Sequence, residues 1–433
     1  MMTRALIEHI EGEASLYFDT RGDKITWAEI AFPHFRGMER MLEGRKATDA
    51  LVITPRVCGI CGHAHLMATV RAIEAAYAEA GHPVELTRKA KSLRELTLVL
   101  EMIQNHFKWL YLVILPELEK LGIEGLAPAP LKGAYAAAQA TKILALFAGQ
   151  WPHSSYMIPG GVTCDPTHLE RIQAAGLLDE LIAFFEKETA GIDLDTLLTF
   201  ASCREINPLQ SDLGRLEKGL IAAGMHKKGM AYDRFVVLGE HGFTVRARLK
   251  HTRPMKADAS QVATEAAVCR DEISHARNVR YGKHFYEVGP LARAISADNA
   301  LIKNMHRRYK DSVYTRVMAR VYETALLLQR ARKLLEHMEL SEPSYIPPVA
   351  LERITAAGEG IVEAPRGPLI HRLRLERGII AEYGIITPTQ WNLGSSVMSD
   401  PAPAQKAMVG AADIAEAKFI FRSFDVCSVC TTH

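Results

Sequence analysis

Apolar residues recur at helical spacing along most of the chain. The pattern predicts helices over 66–80, 86–121 with a break near Pro116, 132–148, 166–189, 209–223, 260–276 and 297–338. Alternation takes over in "ASLYFDTRGDKITWAEIAF", which predicts a hairpin turning at 21–23. Strand-like runs return at 232–250 and in "LIHRLRLERGIIAEYGII", the latter with a turn at 376–378. No repeat, low-complexity tract or Gly/Pro/Ser-rich linker marks a boundary, so residues 1–433 are expected to form one predominantly helical α+β unit.

Composition narrows the function classes. Lys+Arg 52 against Asp+Glu 50 leaves a net charge of +2, which gives no electrostatic case for nucleic acid or an anionic membrane. The most apolar stretch, "LTLVLEMIQNHFKWLYLVILPEL", is interrupted by Glu101, Asn105, His106 and Lys108, and so reads as a buried helix and not a membrane span. No basic-then-apolar signal region opens the sequence. Seven cysteines in 433 residues are too few and too odd in number for a disulfide framework, and point to a reducing environment.

Four of those cysteines form two C-x-x-C pairs near opposite ends: Cys58 and Cys61 in "RVCGICGHAH", Cys427 and Cys430 in "FDVCSVCTTH". Two intervening residues let the chain fold back so that both sulfurs converge, and four sulfurs suit a thiophilic metal. A structural zinc site is one reading, but zinc pairs usually come together over about 15–20 residues. Closing a loop of nearly the whole chain costs entropy and is a poor way to staple a fold. A thioredoxin-like redox pair is weakened by the lack of a βαβ context. The spacing favours a site built for chemistry at the centre of the molecule.

The residues around the pairs are more specific. R-x-C-G-x-C-x-x-x-H (Arg56, Cys58, Gly59, Cys61, His65) and D-x-C-x-x-C-x-x-H (Asp425, Cys427, Cys430, His433) together resemble the two metal-binding signatures of the large subunit of nickel–iron hydrogenases. "IEHIEGE", "FRGMERMLEGR", "PHSSYMIPGGVTC", "YEVGPLAR", "EAPRGPLIHR" and "IITPTQWNLGS" match further family blocks in order. The resemblance implies that family's fold, a central long-helix bundle with small peripheral β-sheets. It also implies a catalytic subunit that cleaves H2 heterolytically and reversibly.

It further implies a site. All four cysteines would bind nickel, with Cys58 and Cys427 terminal and Cys61 and Cys430 bridging to an iron that carries CO and two cyanides. Arg366 and the Thr389 hydroxyl would donate to cyanide, and Pro365 and Pro388 would wall the CO. Glu39, the Ile385 carbonyl and the His433 ring would hold magnesium. Glu11 of "HIEGE" would pass on the proton taken by the Cys427 thiolate, and His65 would hydrogen-bond a cysteine sulfur. Without their motifs, Glu39 and Glu11 would be surface carboxylates, Arg366 a surface charge and His65 a cap or core residue. His63 reads as structural, and Cys164, Cys203 and Cys269 as small core residues.

Three positions depart from the common family pattern. Val426 stands where proline is frequent, His9 where arginine is, and Asn105 in "QNH" replaces an aspartate expected to face Arg366. The family often loses a C-terminal extension just after the position of His433, which brings in a maturation protease and metal-insertion factors. The seven cysteines leave no set for an iron–sulfur relay, so electrons must leave through a partner, the family's iron–sulfur small subunit. Localisation would be cytoplasmic or membrane-associated through partner subunits, and export with a signal-bearing small subunit is compatible. The alternatives are an H2 sensor with the same site and a zinc-stapled structural protein.

Overall fold

A computed structural model describes residues 2–7, 13–22, 24–122, 129–239, 248–250, 257–270, 273–427 and 429. Long helices pack side by side. Pro130–Ala148 lies against both Arg88–Lys108 and His168–Phe184, and Val313–Glu336 crosses Arg88–Lys108. The inner helices are apolar on most sides because they are surrounded, as Leu96, Val99, Leu100 and Ile103 on one and Val317, Val321, Leu327 and Leu328 on the other show.

Two three-stranded antiparallel sheets flank the bundle. One joins Met2–Ile7, Ala14–Arg21 and Lys24–Ala31, and the other joins Ala356–Ala364, Gly367–Glu376 and Ile379–Ile386. In the second, Ala364 pairs with Gly367, so only Pro365 and Arg366 make the turn. The next turn uses Arg377 and Gly378, both at positive φ, which matches the twist of a two-residue hairpin loop. The helix Gly62–Glu79 lies flat on the strand Ala356–Ala364. Glycines permit that approach: a Cβ on Gly358 or Gly360 would sit 2.0 Å from the carbonyl oxygen of Ala72 or Ala68.

The predicted helices are found at 62–79, 88–108, 130–148, 168–184 and 212–222, and the N-terminal hairpin gains a third strand, Met2–Ile7. Two expectations are corrected. The alanine-rich 260–276 segment is no helix: Val262–Glu265 pairs with Asn278–Tyr281, Val268 N–H donates to Ser395 O, and Arg270 salt-bridges Asp19 and Glu29. Tertiary pairing there outweighs helix propensity. The 297–338 helix is two, Ala300–Tyr309 and Val313–Glu336, broken where Lys310 takes a positive φ and Ser312 caps the second. The Pro116 break is a π-type turn over Trp109–Ile114 followed by Leu115–Lys120. In 232–250 the strands are Phe235–Val237 and Arg248–Lys250.

The close helix–sheet approach has a direct test. Gly360→Ala drives a methyl into a backbone carbonyl, and should lower stability by about 2–3 kcal/mol. A thermal melt of the variant beside the parent checks this, with a visibly lower Tm expected.

Candidate metal centre

The first cysteine pair sits where a short 3-10 turn, Thr54–Val57, meets the helix Gly62–Glu79. Cys61 is the N-cap residue, and its side chain makes no capping bond. The leading N–H groups of the helix are instead satisfied from another helix: Glu101 accepts from His63 N at 2.8 Å and from Ala64 N at 3.0 Å. A buried carboxylate on the Arg88–Lys108 helix thereby fixes the start of the cysteine-bearing helix. Within the loop, Cys58 Sγ accepts from Ile60 N at 3.4 Å and Cys61 N at 3.2 Å, the fold-back that two intervening residues allow.

The second motif arrives from the helix Ile414–Arg422 and brings Cys427 against the first. Cys58 and Cys427 are fully buried with sulfurs 3.6 Å apart, and Cys61 is 6% exposed. None of the three forms a disulfide among the described residues. Glu11, Cys430 and His433 lie outside the described residues.

Asp425 organises the entry to this second motif. Its carboxylate takes Arg366 (Nη2 at 3.2 Å, with Nε 3.1 Å from its other oxygen) and Arg320 through Nη1, and Arg366 Nε also donates to its carbonyl at 3.1 Å. Asn105 Oδ1 accepts from Arg320 at 3.2 Å. Asn105 thus serves Arg320, and Asp425 is the carboxylate that pairs with Arg366. Burial alone would pull the Arg366 proton affinity down. Asp425, then the sulfurs of Cys427, Cys61 and Cys58, hold it well above its ordinary value, so it stays a cation facing the thiols. Asp425 has φ 58. A following proline would push residue 425 toward extended backbone, and Val426 leaves this left-handed conformation open.

The turn carrying Arg366 is itself held by a fully buried arginine. Arg293 donates to the carbonyls of Ala364 and Pro365, both at 3.0 Å, to Glu363 at 2.9 Å and to Glu323 at 2.6 and 2.7 Å. His106 Nε2 lies 2.8 Å from Glu323. Arg366 Nη1 and Thr389 Oγ1, both buried, have no hydrogen-bond partner among the described residues, while Pro365 and Pro388 are buried beside them in sequence. A cavity of about 230 Å³ reaches this point, lined by Ile60, Asn105, Trp109, Leu112, Arg366 and Asp425 among others.

Two further placements bear on the predicted residues. His65 Nδ1 is 3.0 Å from His371 Nε2, and His371 Nδ1 is 2.8 Å from the Tyr383 hydroxyl. Tyr383 donating to His371 would put the His371 proton on Nε2 and that of His65 on its own Nε2, making that nitrogen a donor. Glu39 Oε1 accepts from Ile385 N at 2.7 Å, which brings the two predicted magnesium residues together.

The sequence reading missed Glu101, Arg293, Arg320, Glu323 and His371. One signal was present: Arg316, Arg320 and Glu323 are charges spaced four and three apart within the apolar run of a single helix, hence on one face. His63 is buried, and its ring nitrogens have no hydrogen-bond partner among the described residues. Its Nδ1 lies 3.6 Å from Glu101, and burial lowers its pKa to about 3, so it is a neutral ring beside Glu101.

Burial raises the Glu101 pKa to about 7, against the opposing pull of the two backbone N–H groups, the Trp151 indole and Arg366. A carboxyl whose folded pKa exceeds its unfolded value contributes stability at low pH that is lost as pH rises through the folded pKa. Glu101→Gln removes that loss. Measured from pH 5 to pH 8, the Tm of the variant relative to the parent should climb, by the equivalent of about 2–3 kcal/mol.

Known proteins share the fold and the family signature of this chain. The family model described as nickel-dependent hydrogenase matches residues 36–115 and 131–433. An iron-sulfur subunit of the F420-non-reducing hydrogenase of Archaeoglobus profundus is 24% identical over 466 residues, covering 98% of this chain and 92% of its own. The periplasmic NiFeSe hydrogenase large subunit of Desulfomicrobium baculatum is 24% identical, with 93% and 88% covered. Its reduced, active crystal structure has the same fold, with a TM-score of 0.81 at 20% identity and both chains covered in full. The reduced Ni-Fe-Se hydrogenase of D. vulgaris Hildenborough gives a TM-score of 0.82 at 20% identity, again with full coverage. This chain belongs to the nickel-dependent hydrogenase family, as a large, catalytic subunit.

Proposed function

We propose that the chain performs reversible heterolytic cleavage of H2 with Cys58, Cys61, Cys427 and Cys430 as its metal ligands. In this reading all four cysteines would hold nickel, and Cys61 and Cys430 would also hold the iron. One observation carries it: sulfurs from opposite ends of the chain meet, fully buried, 3.6 Å apart under a guanidinium. Bound there, a nickel–iron pair supplies the Lewis acid and the electron sink that splitting H2 requires.

The residues around the sulfurs have complementary work. Arg366 Nη1 and Thr389 Oγ1 are buried donors with no acceptor among the described residues, a costly arrangement unless a bound group accepts from them. Cyanides on the iron would do so, and Pro365 and Pro388 would offer CO an apolar wall. Asp425 fixes the Arg366 fork so that Nη1 is the nitrogen left to donate. Cys427 takes the proton and Glu11 relays it outward. Glu39 and the Ile385 carbonyl, with His433, would hold magnesium, a hard cation that oxygen donors suit.

Electrons leave to an iron–sulfur small subunit, because the three cysteines outside the two pairs, Cys164, Cys203 and Cys269, do not make the four-cysteine set a cluster needs. No helix among the described residues is long and apolar enough to cross a membrane. We place the complex in the cytoplasm or at a membrane through partner subunits. A maturation protease and metal-insertion factors would prepare its C-terminal end.

Two substitutions test the assignment in the purified complex. Arg366→Lys should slow H2-dependent dye reduction about tenfold or more, since an ammonium cannot reproduce the planar fork. The cyanide infrared stretches should shift with it. Unchanged turnover would place Arg366 outside the site. Glu11→Gln keeps shape and hydrogen bonding but cannot relay a proton. It should stop H/D exchange with solvent and leave the infrared spectrum of the metals intact, whereas exchange at the parental rate would move the proton route elsewhere.

A further inference from the structure

We propose that Arg36 is a clamp that locks the two cysteine motifs together from the protein surface, and so sets how tightly the centre retains its metal. The inference rests on the ligand assignment above. Arg36 Nη1 donates to the Arg56 carbonyl at 3.3 Å, and Nη2 donates at 2.5 Å to both the Val57 and the Val429 carbonyls. Val57 immediately precedes Cys58, and Val429 lies between Cys427 and Cys430. One guanidinium thus binds the main chain of both ligand-bearing loops, at positions next to the ligands themselves.

The neighbouring residues extend the same function. Gly37 takes a left-handed φ of 64, which turns the chain straight into the helix Met38–Leu42. That helix presents Glu39 to the Ile385 N–H at 2.7 Å. Four consecutive residues, 36–39, therefore hold three remote segments: the first cysteine loop, the second, and the strand that carries Ile385. Each loop has its own inner anchor, Glu101 for the first and the Arg320–Asp425–Arg366 set for the second. Arg36, itself exposed, ties the two loops to each other from the surface. A planar fork can bind three carbonyls at fixed angles, which a single ammonium on a shorter stem cannot.

Arg36 is solvent-exposed and its acceptors are all backbone, so replacing it leaves every cysteine and the core unchanged. The test compares parent, Arg36→Ala, Arg36→Lys and Arg40→Ala in the purified complex. It follows amide hydrogen exchange of the peptide spanning 424–433 and the rate at which a chelator removes nickel. Arg36→Ala should raise both about tenfold or more with the Tm nearly unchanged, because the loss of bonds to one loop opens that loop only. Arg36→Lys should resemble Arg36→Ala. Arg40 stacks on Phe35 and has no hydrogen bond to either motif among the described residues, so Arg40→Ala should resemble the parent.

Parental exchange in Arg36→Ala overturns the clamp, as does faster exchange with parental nickel release, and as does full recovery by lysine. The exchange measurement does not depend on which metal is bound. A preparation without nickel would overturn the ligand assignment, while exchange would still report on the clamp.

Discussion

The carboxylate of Asp425 is shared by two buried guanidiniums, and the geometry of the centre depends on that sharing. Three charged groups are taken out of water together, an arrangement tolerable only when each is satisfied. Asp425 meets Arg366 from the Ala364–Gly367 turn and Arg320 from the longest helix, and Asn105 completes Arg320 from a second helix. Two residues after Asp425, the chain delivers Cys427. The C-terminal arm is therefore positioned by electrostatics within the core, and removing one partner would strand the others at a cost of about 3–5 kcal/mol.

That constraint explains why the fold spends so much buried charge near one turn. Arg293, held by Glu323 and Glu363, donates to the carbonyls of Ala364 and Pro365 and leaves the Arg366 side chain free to point at the sulfurs. Glu101 performs the equivalent task for the first motif by binding the leading N–H groups of its helix. Both cysteine loops are thus fixed by groups from elements far away in sequence. Cys58, Cys61 and Cys427 therefore sit on segments that the protein's own buried charges hold in place.

The cysteine motifs, the helix-rich α+β class and the Arg366 and Glu39 segments were legible in the sequence, because residue type and short-range spacing carry them. The supporting groups were not. Glu101 and Arg293 look like interruptions of apolar helices until the fold shows what they bind, and their partners lie 30 to 72 residues away. The 260–276 segment misled for the same reason: its alanines favour a helix, yet pairing with Asn278–Tyr281 and contacts to Ser395 and Glu29 decide its shape. The break at Lys310–Ser312 was readable in principle, since Asp311 and Ser312 precede an apolar run as a capping residue should. Asn105 shows the opposite limit. Its motif position was seen correctly, but only the fold shows that Arg320, and not Arg366, is its partner.

The central claim is that sulfurs from both ends of the chain share one nickel. X-ray absorption at the nickel edge of the purified complex tests it most directly, through the nearest ligands and the nearest heavy scatterer. The account predicts a shell dominated by thiolate sulfur with iron just beyond it, and the loss of one sulfur or of bound nickel in Cys427→Ser. Nickel in a nitrogen and oxygen shell, or an active complex that holds zinc and no nickel, would contradict it.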